Sequence, residues 1–158
     1  MVISGERFML LGQYEAVLTD KGRLALPKKF REKLGGRVVV AKWYESCLVV
    51  VASESLNPLL SRLTAETKYI TGAVRDTDRF VLGSASEVDL DKQGRFVVPK
   101  YLRDYALLVK EVVFLGLGSR VEVWDKKVWA EREKYIKENA ENLIETIAQE
   151  SKDAKSIS

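Results

Sequence analysis

The segment Lys21-Gly22-Arg23-Leu24-Ala25-Leu26-Pro27-Lys28-Lys29-Phe30-Arg31 returns as Gln93-Gly94-Arg95-Phe96-Val97-Val98-Pro99-Lys100-Tyr101-Leu102-Arg103, at a constant offset of 72 residues. Glycine, both arginines, proline and the first lysine keep their places, and Leu24, Leu26 and Phe30 meet apolar counterparts. Such a repeat constrains the fold more than any single motif, because each copy is one supersecondary unit that cannot bury its apolar face alone. It also doubles one basic surface within the chain, which suits a repetitive polyanion.

The first repeat occupies residues 13–55. Gln13 to Leu18 reads as a strand with Tyr14, Ala16 and Leu18 on one face. Asp20-Lys21-Gly22 is a turn. Arg23 to Leu26 is a second strand, stopped by Pro27, which cannot donate to a ladder. Pro27 opens a short helix from Lys28 to Leu34, which Gly35-Gly36 ends. Arg37 to Lys42 and Cys47 to Ala52 form a hairpin.

The second repeat, residues 84–127, follows the same plan. Its strands are Glu87 to Leu90, Arg95 to Val98, Glu111 to Leu115 and Val121 to Trp124, its helix is Lys100 to Leu107, and Gly116 and Gly118 sit in the hairpin bend. Residues 56–83 read as a helical linker. Ser55 caps a helix through Leu63, and a second stretch from Glu66 to Leu82 buries Ile70, Ala73, Val74, Phe80 and Val81 at helical spacing. Residues 128–158 form a C-terminal helix and tail. Asp125 caps that helix, which runs from Lys126 to about Gln149, and residues 151–158 are expected to fray.

One repeat alone would leave a sheet face and its edges bare. Two related by a pseudo-twofold axis can cover each other. The expected fold is therefore mixed α/β, mainly β, with both repeats interleaved in one barrel-like core where Leu24, Leu26, Phe96 and Val98 meet.

The chain has no histidine. That removes the commonest general base, the Ser-His-Asp arrangement and the usual zinc site. The single cysteine, Cys47, allows no internal disulfide and reads as a small core residue. No apolar run approaches the roughly 20 residues of a spanning helix, and residues 1–12 lack a signal-peptide core. The expected location is cytoplasmic. Positive charge is concentrated on the repeated segment. Residues 20–37 carry seven cations against two acids, residues 91–104 four against two, and residues 126–158 balance.

Asp91-Lys92-Gln93-Gly94-Arg95-Phe96-Val97-Val98-Pro99, with Lys100 and Arg103 beyond it, resembles the SpoVT/AbrB-type DNA-binding motif. Two such motifs, with Met9-Leu10-Leu11-Gly12 upstream and Arg79 to Ala85 between, resemble the MraZ family of bacterial transcriptional regulators over about residues 9–130. The resemblance implies a swapped-hairpin AbrB-like barrel and a ring-like homo-oligomer. It also implies Asp-x-x-x-Arg surfaces facing double-stranded DNA, with short direct repeats upstream of the protein's own division and cell-wall operon bound and repressed. Met9 is the family's usual start and the expected initiator. One position departs from the pattern: Thr19 stands where Asp91 stands in the second copy, with an acid one place later at Asp20.

The motif's chemistry fits this reading. Arg23 and Arg95 follow the turn glycines, and their forks match guanine O6 and N7 or two phosphate oxygens. Asp91 can hold Arg95 in one rotamer before binding, while Thr19 can cap its turn but cannot ion-pair with Arg23. Lys21, Lys92, Lys28 and Lys100 suit phosphate contacts, and Gln93 an adenine edge. Arg31 and Arg103, inside the short helices, read as structural, as ion-pair partners of Glu32 and Asp104. No cofactor, metal, membrane or small-molecule substrate is expected. The alternative is an oligomeric, antitoxin-like protein-interaction module served by the C-terminal helix. An enzyme is disfavoured, since no carboxylate spacing suggests a catalytic pair and no glycine-rich phosphate loop is present.

Overall fold

The computed structural model describes residues 9–157, so the segment before Met9 lies outside the described residues, while Met9 itself, the expected initiator, lies within them. The chain divides into two compact units, one ending at Lys126 and one running from Lys127 onward. In the first unit, the first repeat gives β1 (Leu10–Val17), β2 (Arg23–Ala25), helix α1 (Lys28–Leu34), β3 (Arg37–Lys42) and β4 (Leu48–Ala52). The linker gives α2 (Leu56–Leu63) and α3 (Gly72–Val81). The second repeat gives β5 (Ser86–Asp89), β6 (Arg95–Val97), α4 (Lys100–Tyr105), β7 (Glu111–Gly118) and β8 (Val121–Asp125). Helix α5 (Lys126–Ile157) follows.

Six strands form an antiparallel sheet in the order β1-β7-β8-β4-β3-β5, and β2 pairs with β6 in a separate ribbon. Among the described residues only the β3–β4 and β7–β8 hairpins are internal to a repeat. The other pairings, β1–β7, β3–β5, β4–β8 and β2–β6, all cross between repeats. The interleaving expected from the sequence is therefore present.

The register shows the pseudo-symmetry. Leu24 faces its own counterpart Phe96, while Arg23 faces Val97 and Ala25 faces Arg95. In the sheet, Val49 faces Glu122, flanked by Leu48 opposite Val123 and Val50 opposite Val121. An approximate twofold axis through these two central pairs exchanges the repeats.

The expected barrel does not close. The sheet ends at β1 and β5, which do not pair with each other, and the three-residue β2 and β6 pair with each other alone. Pro27 and Pro99, two residues beyond the strands, lack the N–H that would lengthen the ladder.

Alternation along the strands builds the core. Leu24, Leu26, Phe96 and Val98 join Phe30, Leu102, Val40 and Phe114 in one cluster, with Tyr14 and Ala16 packed against it. The Tyr14 ring meets Phe30 edge-on, 5.1 Å between centroids. Cys47 is fully buried, and burial pushes its thiol well above the usual range, keeping it protonated.

Four local expectations change. Gly116 lies inside β7 opposite Gly12, not in the bend, because a Cβ there would sit 2.6 Å from the Leu11 amide nitrogen. Helix α3 begins at Gly72 rather than Glu66: Ala65 and Glu66 hold φ of 55° each, which no right-handed helix accommodates. Thr71 caps α3 by accepting from the Val74 N–H at 3.3 Å. Within the expected buried stripe, Val81 is buried and Val74 and Phe80 are half-buried, but Ile70 and Ala73 are exposed. Finally, α5 runs on to Ile157 where a frayed tail was expected, with Gln149 Nε2 donating to Asp153 Oδ1 at 3.0 Å one turn on.

Because the repeats interleave, they should unfold together. Leu24→Ala, at the axis, should lower stability by about 3 kcal/mol while urea unfolding stays a single transition by both circular dichroism and tryptophan fluorescence. Two separated transitions would show that each repeat folds alone.

Candidate nucleic-acid interface

The two turns leading into β2 and β6 have the same backbone. In the first, the Thr19 N–H donates to the Arg23 carbonyl at 3.0 Å and the Gly22 N–H to the Thr19 carbonyl at 2.9 Å. In the second, the Asp91 N–H donates to the Arg95 carbonyl at 3.1 Å and the Gly94 N–H to the Asp91 carbonyl at 2.9 Å. Gly22 and Gly94 adopt φ of +77° and +78°, a left-handed conformation that glycine takes without a Cβ clash.

Each turn is held by the other repeat. The Val98 N–H donates to the Gly22 carbonyl and the Leu26 N–H to the Gly94 carbonyl, both at 2.8 Å. Arg103 and Arg31 cross over in the same way. A Cβ on Gly22 would lie 2.8 Å from the Arg103 guanidinium carbon, and one on Gly94 would lie 2.5 Å from an Arg31 guanidinium nitrogen. Arg103 also donates from Nε to the Val98 carbonyl at 3.0 Å. Their structural role stands, but their neighbours are the turns of the opposite repeat. The acids expected to pair with them are bound by lysines instead: Lys28 reaches Glu32 at 3.9 Å and Lys100 reaches Asp104 at 2.7 Å.

The side chains opening the turns differ. Asp91 Oδ1 accepts from the Gln93 and Arg95 N–H groups, both at 2.9 Å, and Oδ2 accepts from Arg95 Nε at 2.7 Å. The Arg95 backbone bond first, then its guanidinium, lower the Asp91 carboxyl to about 2. Thr19 Oγ1 accepts from the Arg23 N–H at 3.1 Å, so the hydroxyl caps the turn as expected. It has no second oxygen. The Arg23 guanidinium meets no hydrogen-bond or ion-pair partner among the described residues.

With Leu24 and Phe96 buried, Arg23, Ala25, Arg95 and Val97 share the outer face of the ribbon. Arg23 and Arg95 sit diagonally across the two strands, roughly 8 Å apart at Cα from standard strand spacings. Asp20, Lys21, Lys92 and Gln93 are exposed in the turns. Lys28 and Lys100 are exposed at the starts of α1 and α4, in surface ion pairs of the kind that yield to a stronger anion. The structure thus brings Thr19, Asp20, Lys21, Arg23, Asp91, Lys92, Gln93 and Arg95 to the ribbon and its turns. Sequence reasoning passed over Ala25 and Val97, two apolar positions on the outer face. Their place one step from buried neighbours in a period-two strand was the available signal.

The Asp91 carboxyl should titrate near pH 2 by carboxyl-detected NMR, and Arg95→Ala, which removes the guanidinium but keeps the backbone N–H that lowers it most, should move the midpoint only part of the way up toward 3.8. Since the folded value is lowered, its contribution to stability is present in full above pH 3.8 and lost as pH falls through about 2. An unchanged midpoint in Arg95→Ala would rule out the clamp.

The family model described as the MraZ protein, antitoxin-like, matches the chain twice, over residues 9–80 and 81–153. A protein of Caldanaerobacter subterraneus named transcriptional regulator MraZ is 39% identical over 138 residues, covering 87% of this chain and 95% of its own. A Thermoanaerobacter protein of the same name is 42% identical over 124 residues, covering 78% and 85%. One from Syntrophomonas wolfei is 36% identical over 141 residues, covering 89% and 95%. With both repeats matched and nearly the full length of these relatives spanned, the chain belongs to the MraZ family.

Proposed function

We infer that this protein is a sequence-specific, double-stranded-DNA-binding transcriptional regulator and that the β2–β6 ribbon is its recognition surface. One observation carries the reading: two arginines stand on the outer face of a two-stranded ribbon whose inner face is core. A two-stranded ribbon fits the major groove of B-DNA, and arginine forks match guanine O6 and N7. Ala25 and Val97 supply apolar surface of the kind that meets thymine methyl groups. Lys21, Lys92, Lys28 and Lys100 flank the ribbon as phosphate contacts, with Gln93 and Asp20 at the turn tips. The names of the relatives support a regulatory role.

A single ribbon offers few cationic contacts, so its affinity alone is weak and salt-sensitive. Linked copies raise the effective concentration. A ring of subunits on short direct repeats upstream of the protein's own operon, repressing it, completes the reading, with the protein at work in the cytoplasm on the nucleoid. It needs no cofactor and is not an enzyme. A second reading, an antitoxin-like protein-interaction module, is favoured by exposed Ile144 and Ile147 on α5. It predicts partner capture and little salt dependence of DNA binding.

Gel-shift titration with the duplex preceding its own gene tests this at two salt concentrations. The wild type should prefer that duplex over a shuffled one, and Arg23→Ala with Arg95→Ala should erase the preference. Lys21→Ala with Lys92→Ala should flatten the salt slope by about two and keep the preference. No preference in the wild type, or full-affinity binding by a monomer, would contradict the reading.

A further inference from the structure

The repeats share a backbone but not a mechanism for aiming arginine. Both turns close with the same hydrogen bonds and the same glycine conformation. Both opening side chains cap the following arginine's N–H. The difference is one oxygen atom. Asp91 uses its second oxygen to hold Arg95 Nε at 2.7 Å, whereas Thr19 has no second oxygen and the Arg23 guanidinium meets no hydrogen-bond or ion-pair partner among the described residues.

That difference separates two kinds of contact. Binding through Nε takes one of five N–H donors and leaves the four on the two terminal nitrogens available to a ligand. A guanidinium fixed in this way presents a planar fork at a defined place, which a base edge requires. An unheld arginine must be ordered by its ligand and can follow whichever phosphate lies nearest.

We propose that the two turns divide the work: Arg95, aimed by Asp91, reads a base edge, while Arg23, released by Thr19, grips the backbone. The choice of residue at 19 and 91 then sets specificity without touching DNA, which makes Asp91 a positioning residue. This rests on the DNA-binding reading above and deepens it.

The test compares Arg23→Lys, Arg95→Lys, Asp91→Thr and Thr19→Asp by fluorescence anisotropy, on the duplex preceding the gene and on a shuffled duplex of equal length. Lysine keeps the charge but not the fork. Arg95→Lys should cut the preference for the native duplex by roughly tenfold or more while shuffled binding is unchanged. Arg23→Lys should leave the preference within about threefold of wild type. Asp91→Thr should behave like Arg95→Lys, and its turn should still fold, since the first repeat already carries threonine there. A thermal melt checks this. Thr19→Asp supplies the missing second oxygen, so in that background Arg23→Lys should cut the preference as Arg95→Lys does. Equal losses of preference in Arg23→Lys and Arg95→Lys, or an unchanged preference in Asp91→Thr, would overturn the division while leaving DNA binding intact. A wild type with no preference for the native duplex would overturn both readings together.

Discussion

The antiparallel contact between β2 and β6 is the constraint on which the rest of the structure depends. Each strand is three residues long and sends one side chain inward, Leu24 from one repeat and Phe96 from the other. Strands so short are stable only against a partner with an apolar face. Because each pairs with its own counterpart, the contact sets an approximate twofold axis. The same axis then places β1 on β7 and β5 on β3. It settles the outer face as well. With Leu24 and Phe96 turned inward, period-two geometry sends Arg23 and Arg95 outward. The core and the proposed recognition surface are the two faces of one ribbon.

The coupling extends to the turns. A carbonyl of each turn glycine accepts from the strand end of the other repeat, and Arg31 and Arg103 lie against the opposite glycines. Neither turn is built by its own repeat alone. A side chain at Gly22 or Gly94 would meet both an unfavourable φ and a crossing arginine. This explains why glycine stands at both copies of a position otherwise free to carry a polar turn residue.

Much of this was legible in the sequence. The constant offset revealed the repeat, and period-two alternation identified Leu24, Leu26, Phe96 and Val98 as core. Turn chemistry placed Arg23 and Arg95 at the ends of two turns. Other features depended on contacts that local pattern does not encode. The crossing of Arg31 and Arg103 is set by how the repeats dock, so the adjacent acids Glu32 and Asp104 were misleading partners. Gly116 read as a bend residue because glycine usually marks one, whereas it admits the backbone of β1 over β7. Ile70 followed helical spacing, but left-handed residues at Ala65 and Glu66 break the helix before it. The open sheet could not be told from a barrel, since both satisfy the same alternation. At the site, the substitution of Thr19 for an acid was visible, and the structure added what it does: it keeps the cap and removes the clamp.

The duplicated fold sets both copies of one motif on the proposed recognition surface. The central claim is that the outer face of the ribbon meets DNA. Amide hydrogen exchange, measured with and without the duplex preceding the gene, tests it most directly. The account predicts slowed exchange in residues 19–25 and 91–97, with α2 and α3 unchanged. Unchanged exchange in both turns, with protection confined to the linker helices or to α5, would contradict it.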